Sequence, residues 1–386
     1  MSTLHQRLRH NFWATVALMA RIAARYRPQR TDEFRGRWDL IDPALSDEKL
    51  ARVAKALVEL AMTEWTADVV VDFDDRATQA FLARHRVTTS LPLRCVKGEE
   101  QRNELRTRLH TIYGVQMRIE TTARVVIDEL REIGIDARVL KGLASAQLDY
   151  PHPELRQTGD VDLAIPAGTV EAAYNHLKQR GYLDYAHAPA STHLLKGVTL
   201  RAANGIEVDL HDRLFQRSPM TSALFDELGQ QVPNLGTQAL NVNFRLVHAA
   251  GHFILAPPGT RRMSGFLDTV VLRNNPDVDL TLTLAIAERL GIARLVGSSL
   301  RLEAALSGRN DHDLQAWPAA DWLERRTRLQ TERNLTLDQL SRFREVPRSR
   351  WLTYLPYWIV PEARRRKLFK RRALEQWRRL TGTQRR

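Results

Sequence analysis

Cysteine is almost absent from this sequence of 386 residues, and long apolar runs are missing altogether. The only cysteine, Cys95, excludes a disulfide framework and a metal site made of several thiolates. No stretch approaches the roughly 20 consecutive apolar residues that a transmembrane helix requires. We therefore expect a soluble globular protein, with the cytoplasm as its default location.

Basic residues are in excess only at the C-terminal end. The net charge is +13, but residues 341–386 contain 15 Lys or Arg and 3 Asp or Glu, so the other 340 residues carry +1. A global charge argument for nucleic-acid binding therefore fails. Residues 351–386 combine an uncharged run that holds two Trp and two Tyr with an arginine-rich segment. This tail can pack on the body, lie peripherally on the inner membrane surface, or contact nucleic acid.

Apolar periodicity predicts an α+β fold, in which a small sheet with flanking helices lies between two mostly helical regions. One helix is expected to begin with Ser46 as its N-cap. A longer one runs from Glu100 to Ile133 and ends before Gly134. After it, the segments become short and rich in β-branched residues. The predicted regions are helical residues 1–100, a mixed core at 101–235, helical residues 236–340, and the aromatic and basic tail at 341–386.

Two acidic residues share one face of a predicted strand. In TGDVDLAIP, residues 158–166, Asp160 and Asp162 alternate with Val161 and Leu163. Successive side chains of a strand point to opposite faces, so the two carboxylates lie side by side above a buried apolar face. Like charges in this position repel each other. A bound cation would offset that repulsion.

A second strand repeats the pattern. In GIEVDLH, residues 205–211, Glu207, Asp209 and His211 share one face. Three carboxylates from two strands can hold two Mg²⁺ ions, which clamp the attacking and leaving oxygens of a phosphoryl displacement. The alternative is a solvated face of a half-exposed sheet. Strand geometry alone does not decide whether Glu207 or Asp209 is the third carboxylate, and His211 can orient Asp209 or contact a substrate.

A predicted strand-to-helix turn is a candidate phosphate site. In VLKGLASA, residues 139–146, the strand ends at Gly142 and the following helix start presents backbone N–H groups that bind anions. Lys141 and Ser145 can add direct contacts. The alternative is an ordinary turn with a glycine for geometry. Arg156, in a later loop, is either a bidentate phosphate ligand or a surface arginine.

Taken in order, these motifs resemble the uncharacterised nucleotidyltransferase family of bacterial proteins, which belongs to the superfamily built on the polymerase-beta-type core. The resemblance covers roughly residues 100–280. The wider superfamily usually has Gly-Gly or Gly-Ser where this chain has Lys141-Gly142. The segments that carry the resemblance are VLKG at 139–142, YPHPELR at 150–156, GDVDLAI at 159–165, VDLH at 208–211 and the helical stretch at 246–272.

The resemblance implies that Asp160, Asp162 and Asp209 are catalytic metal ligands and that the segment around Gly142 cradles a triphosphate. Lys141, Ser145 and Arg156 are the other candidate phosphate ligands. The implied activity is Mg²⁺-dependent transfer of a nucleotidyl group from an NTP such as ATP to an unidentified hydroxyl or phosphate acceptor, with release of pyrophosphate. The alternatives are a sugar- or phosphate-transferring variant of this site, or a non-catalytic nucleotide-binding protein that its basic tail docks to a membrane or nucleic acid.

Four further residues are ambiguous in the sequence. His248 and His252 are spaced to share a metal on one helix face. The zinc-protease pattern HExxH is absent, however, so we favour core or supporting histidines. Asp268 follows Arg262 by six residues, and we expect a structural ion pair between them.

Overall fold

A computed structural model gives the fold for residues 34, 36–184, 197–215, 229–256, 261–310 and 312–318. The predictions for residues 1–33 and for the tail at 341–386, including its membrane or nucleic-acid contacts at 351–386, lie outside these residues. Of the helices that the structure describes, none is sufficiently long and apolar to cross a membrane.

Between residues 36 and 98, the structure describes two α-helices, α1 (Glu48–Met62) and α2 (Arg76–Arg84), joined to short 3-10 turns. The predicted N-cap of α1, Ser46, is wrong by one position. The side chain of Asp47 accepts hydrogen bonds from two backbone N–H groups of the first turn, and Ser46 instead ends a 3-10 turn. A carboxylate at the N-cap also interacts favourably with the helix dipole.

The long helix α3 (Glu99–Glu132) agrees with its predicted bounds to within one residue at each end. Gly134 has a φ of +72°, a left-handed conformation that glycine adopts without steric strain. The apolar side of α3, including Ile119 and Val126, is fully buried against the sheet.

Seven strands in the described residues form one mixed sheet: β1 (Arg138–Val139), β2 (Val161–Ala164), β3 (Leu183–Asp184), β4 (Gly197–Arg201), β5 (Glu207–His211), β6 (Gln230–Val232) and β7 (Thr237–Ala239). Their order across the sheet is β3-β4-β5-β2-β1-β7-β6. β2 lies parallel to β5 and β1 lies parallel to β7, whereas the other neighbours are antiparallel. With the flanking helices, this confirms the predicted α+β class. In the chain, helix α4 (Lys141–Leu148) follows β1 and helix α5 (Val170–Gln179) follows β2.

The two acidic strands lie next to each other at the centre of the sheet. β2 and β5 pair so that Asp162 is directly opposite Asp209. Their intervening apolar side chains lie on the other face and are fully buried in a cluster that also contains residues of α3 and α5. The predicted alternation therefore produces one apolar face and one acidic face. The buried apolar residues are Val161, Leu163, Val208 and Leu210.

In the part of the chain described between residues 242 and 318, four α-helices follow the sheet: α6 (Val242–Leu255), α7 (Met263–Asn274), α8 (Leu280–Arg289) and α9 (Ala293–Ser307). α6 packs against the other three and against α4, while α1 packs against α7 and α9. The N-terminal region and the C-terminal helices thus contact each other directly. This packing brings distant parts of the sequence to the acidic side of the sheet.

Candidate active site

Two carboxylates and one imidazole form the centre of the acidic face. Ligand-type atoms of Asp162, Asp209 and His211 lie within 4.8 Å of one another. His211 Nε2 is 2.8 Å from Asp162 Oδ1, and the hydroxyl of Thr199 on β4 donates to Asp209 Oδ1. Both carboxylates are therefore held in place by neighbouring strands. His211 is thus at hydrogen-bond distance from Asp162. The prediction that it orients Asp209 stays a prediction.

Asp160 lies just before β2 and lines the same cavity. Its side chain is 37% exposed, and Arg86 Nη1 is 3.6 Å from its Oδ1. Burial raises the pKa of Asp160, and the negative charge of Asp162 raises it further. Glu207, the alternative third carboxylate, pairs with Arg201 and is not among the described residues that line the cavity.

Lys141, a candidate phosphate ligand, contacts the carboxylate of Asp162 in the structure. It begins α4 with a φ of +48°, and its Nζ donates to Asp162 Oδ1. Burial alone would lower the pKa of Lys141, but the charge of Asp162 and its hydrogen bond, with smaller contributions from Asp160 and Asp209, raise it overall. The ammonium group thus remains charged and reduces the repulsion among the three carboxylates.

The other candidate phosphate ligands are also in contact with protein groups. A Cβ atom on Gly142 would lie 3.0 Å from the methyl group of Thr158, so the backbone approaches this side chain closely. Ser145 is buried, and its side chain hydrogen-bonds the carboxylate of Asp149. That carboxylate also forms an ion pair with Arg245, at 2.7 Å.

Arg156 forms a buried bidentate ion pair. Its Nε and Nη2 lie 2.6 and 2.7 Å from the two oxygens of Asp268, and Tyr150 donates to the same carboxylate. Burial is the largest single effect on the pKa of Arg156 and lowers it. The charge and the hydrogen bonds of Asp268 act together in the opposite direction, so the pKa is raised overall. The prediction that Asp268 pairs with Arg262 is therefore wrong. Arg262 and Asp268 are six positions apart in the sequence, but the side chain of Arg156 approaches the carboxylate of Asp268 from the protein interior.

These groups surround one cavity of about 330 Å³ on the acidic side of the sheet. The model of the uncharacterised nucleotidyltransferase family matches residues 73–308, more than half of the chain. The chain belongs to this family. A solved structure described as an antigenic nucleotidyltransferase-like protein from Paracoccidioides brasiliensis is similar at 15% identity, covers 50% of this chain and 93% of its own, and has a TM-score of 0.30. No curated protein matches the chain.

In this nucleotidyltransferase, all seven residues predicted for the site line the same cavity. His248 and His252 line it as well, with ring centroids 6.2 Å apart. The roles assigned to the individual residues stay predictions. The seven are Lys141, Gly142, Ser145, Arg156, Asp160, Asp162 and Asp209.

Three further arginines that the sequence did not mark as site residues line the cavity; of these, only Arg262 was named, as an expected partner of Asp268. Arg86 comes from the region after α2, and Arg245 and Arg262 come from the C-terminal helices. None has a local motif around it, since each reaches the site only through the packing of the flanking helices on the sheet. A left-handed backbone at Arg86, with a φ of +54°, is visible only in the structure.

Proposed function

We propose that this nucleotidyltransferase uses Mg²⁺ to transfer a nucleotidyl group from an NTP to a hydroxyl or phosphate acceptor, with release of pyrophosphate. The observation that carries the proposal is the pairing of Asp162 with Asp209 on adjacent strands, with Asp160 in the same cavity. The family supports nucleotidyl transfer in general. The metal, the donor and the acceptor class are our assignment.

The donor set fits a magnesium ion. Mg²⁺ prefers hard oxygen ligands and usually takes only a few carboxylates, leaving its other positions to water and substrate phosphates. Asp162 is almost completely buried and lies directly opposite Asp209, and a bound cation would offset the remaining repulsion between the two carboxylates. Asp160, Asp162 and Asp209 would hold the metal, and His211 would support Asp162 from behind, since imidazole is a poor ligand for this ion.

Transfer forms a bond between the acceptor oxygen and the α-phosphorus and breaks the bond from that phosphorus to the oxygen that bridges it to the β-phosphorus. A hydroxyl acceptor releases its proton to solvent, and pyrophosphate leaves. Bound Mg²⁺ supplies a Lewis acid for the acceptor and for the leaving pyrophosphate. The chain supplies preorganisation: His211 and Lys141 fix the rotamer of Asp162, and Thr199 fixes Asp209. Preorganised charges need no rearrangement when the reaction occurs, which is why such contacts accelerate it.

The direct test measures pyrophosphate release from each NTP, with cell extract as the source of acceptor, in Mg²⁺ and in EDTA. We expect release only with Mg²⁺ and loss of release in Asp162→Asn. Asp128→Asn is the matched control, because this carboxylate is exposed on α3 and pairs with Arg131. It should retain full activity.

Ligand-induced stabilisation separates binding from turnover. At a free MgNTP concentration of 100 times Kd, binding raises the free energy of unfolding by about 2.7 kcal/mol. We expect this gain in the unmodified protein and in Asp128→Asn, and its loss in Asp162→Asn. Undiminished stabilisation of Asp162→Asn would contradict the metal assignment.

A further inference from the structure

The buried side chain of His85 joins the end of α2 to the start of α7. The backbone N–H of Met263 donates to His85 Nδ1 at 3.0 Å, and the N–H of Ser264 donates to the carbonyl oxygen of His85 at 3.3 Å. Because Arg86 follows His85 and Arg262 precedes Met263, these two hydrogen bonds place both arginines at the same side of the cavity. Both line it.

Arg86 occupies a backbone position that normally favours glycine. Its N–H bonds to the carbonyl of Ala83 and its φ is +54°, the left-handed conformation that usually ends a helix at a glycine. A non-glycine residue there is strained. Its guanidinium lies over Gly159, where a Cβ atom would be only 2.0 Å from Arg86 Nη1. The left-handed backbone of Arg86 and the absence of a side chain at Gly159 together allow the guanidinium to lie beside Asp160.

The two arginines differ from the other cations of the cavity. Lys141, Arg156 and Arg245 each contact a carboxylate closely. Arg86 is 3.6 Å from Asp160, and in the described part of the chain Arg262 forms no ion pair with a carboxylate. The pKa of Arg262 is lowered by burial and then by the positive charge of Arg86, against the opposing charge of Asp160.

We propose that Arg86 and Arg262 form a binding site for a phosphate group of a substrate at the side of the cavity next to Asp160. Two guanidinium groups offer planar sets of N–H donors that match phosphate oxygens. An anion between them removes their mutual repulsion. The inference rests on the proposed function for the source of this phosphate, which is either the polyphosphate of the NTP donor or a phosphorylated acceptor.

The test uses inorganic pyrophosphate as the probe, in EDTA at low salt, with affinity measured by calorimetry. We expect Arg86→Gln and Arg262→Gln each to weaken pyrophosphate binding by about tenfold or more, as for the loss of a charged hydrogen bond. Arg52→Gln is the matched control, because this arginine is exposed on α1 and pairs with Glu48. Its affinity should equal that of the unmodified protein.

Arg86→Gly separates binding from folding. Glycine relieves the left-handed backbone, so this variant should melt at or above the temperature of the unmodified protein and still lose pyrophosphate affinity. Equal pyrophosphate affinity in the unmodified protein and in all the cavity arginine variants would overturn the inference. So would a lack of detectable pyrophosphate binding by the unmodified protein.

The source of the phosphate follows from a second comparison, of MgATP with MgAMP. If the arginine variants weaken binding of MgATP and not of MgAMP, the site holds the donor polyphosphate. If they weaken pyrophosphate binding and leave MgATP binding unchanged, the site holds an acceptor phosphate. Pyrophosphate binding that depends on Arg86 and Arg262, in a protein that neither binds MgNTP nor releases pyrophosphate, would refute the proposed function and leave the arginine site in place.

Discussion

Replacing Asp268 with alanine should destabilise the protein strongly, because it leaves a buried guanidinium without its counter-ion. Arg156 and Asp268 are 10% and 7% exposed, and their two hydrogen bonds are 2.6 and 2.7 Å long. Removing one partner of such a pair costs about 3–5 kcal/mol. Tyr150 also loses its acceptor. We expect a total loss of about 4 kcal/mol in urea unfolding and, for a chain of 386 residues, a fall in Tm of about 5 °C.

The double variant Arg156→Leu with Asp268→Leu is the control for this interpretation. Replacing both charges with apolar groups removes the unpaired cation, so most of the lost stability should return, except for the unsatisfied hydroxyl of Tyr150. A loss below about 1 kcal/mol in Asp268→Ala would refute the reasoning. So would a double variant as unstable as the single one. A small loss in the single variant would mean that solvent reaches Arg156.

Two further predictions address a carboxylate and a histidine. Asp209→Asn should lower pyrophosphate release by more than about 100-fold and Glu207→Gln by less than about threefold, because only Asp209 lines the cavity; the reverse order of activities would make Glu207 the third carboxylate. Burial lowers the pKa of His85 to about 4, against the opposing charge of Asp42. The unfolded chain therefore binds more protons between pH 6.5 and 4, and we expect about 3 kcal/mol of stability to be lost as the pH falls through that range. Urea unfolding at several pH values should show this slope, and His85→Gln should flatten it; an unchanged slope would exclude His85 as its source.

The acidic face of the sheet was predictable because it follows from local rules. Strand side chains alternate with a period of two, so Asp160 and Asp162 had to share a face, as did Asp209 and His211. The antiparallel hairpin of β4 and β5 also follows from a local rule, because the sequence ANG at residues 203–205 is typical of a tight turn, and Gly205 has a φ of +84° there. The pairing of β2 with β5 required more than the pattern; the family resemblance implied only that Asp209 binds the same metal as Asp160 and Asp162.

The partners of the cations were not predictable in the same way. Arg156 and Asp268 are 112 positions apart, and a long flexible side chain can reach many carboxylates from its backbone position. The choice between a substrate phosphate and a protein carboxylate depends on how the helices pack on the sheet. The same holds for Lys141, which the sequence places at the end of a strand next to Gly142 and the structure places at a helix start, against Asp162.

The arrangement of charge within the cavity connects the two proposals. Carboxylates of Asp160, Asp162 and Asp209 lie on the sheet, and Arg86 and Arg262 lie beside them on flanking segments. A metal ion alone meets repulsion from the arginines and Lys141, while a metal-free polyphosphate is attracted by the arginines and repelled by the carboxylates, so each should bind more weakly alone. A ligand that carries a cation at one end and phosphate oxygens at the other matches both parts of the cavity. A metal–nucleotide complex has this distribution, so the metal and the nucleotide should each bind more tightly when the other is present.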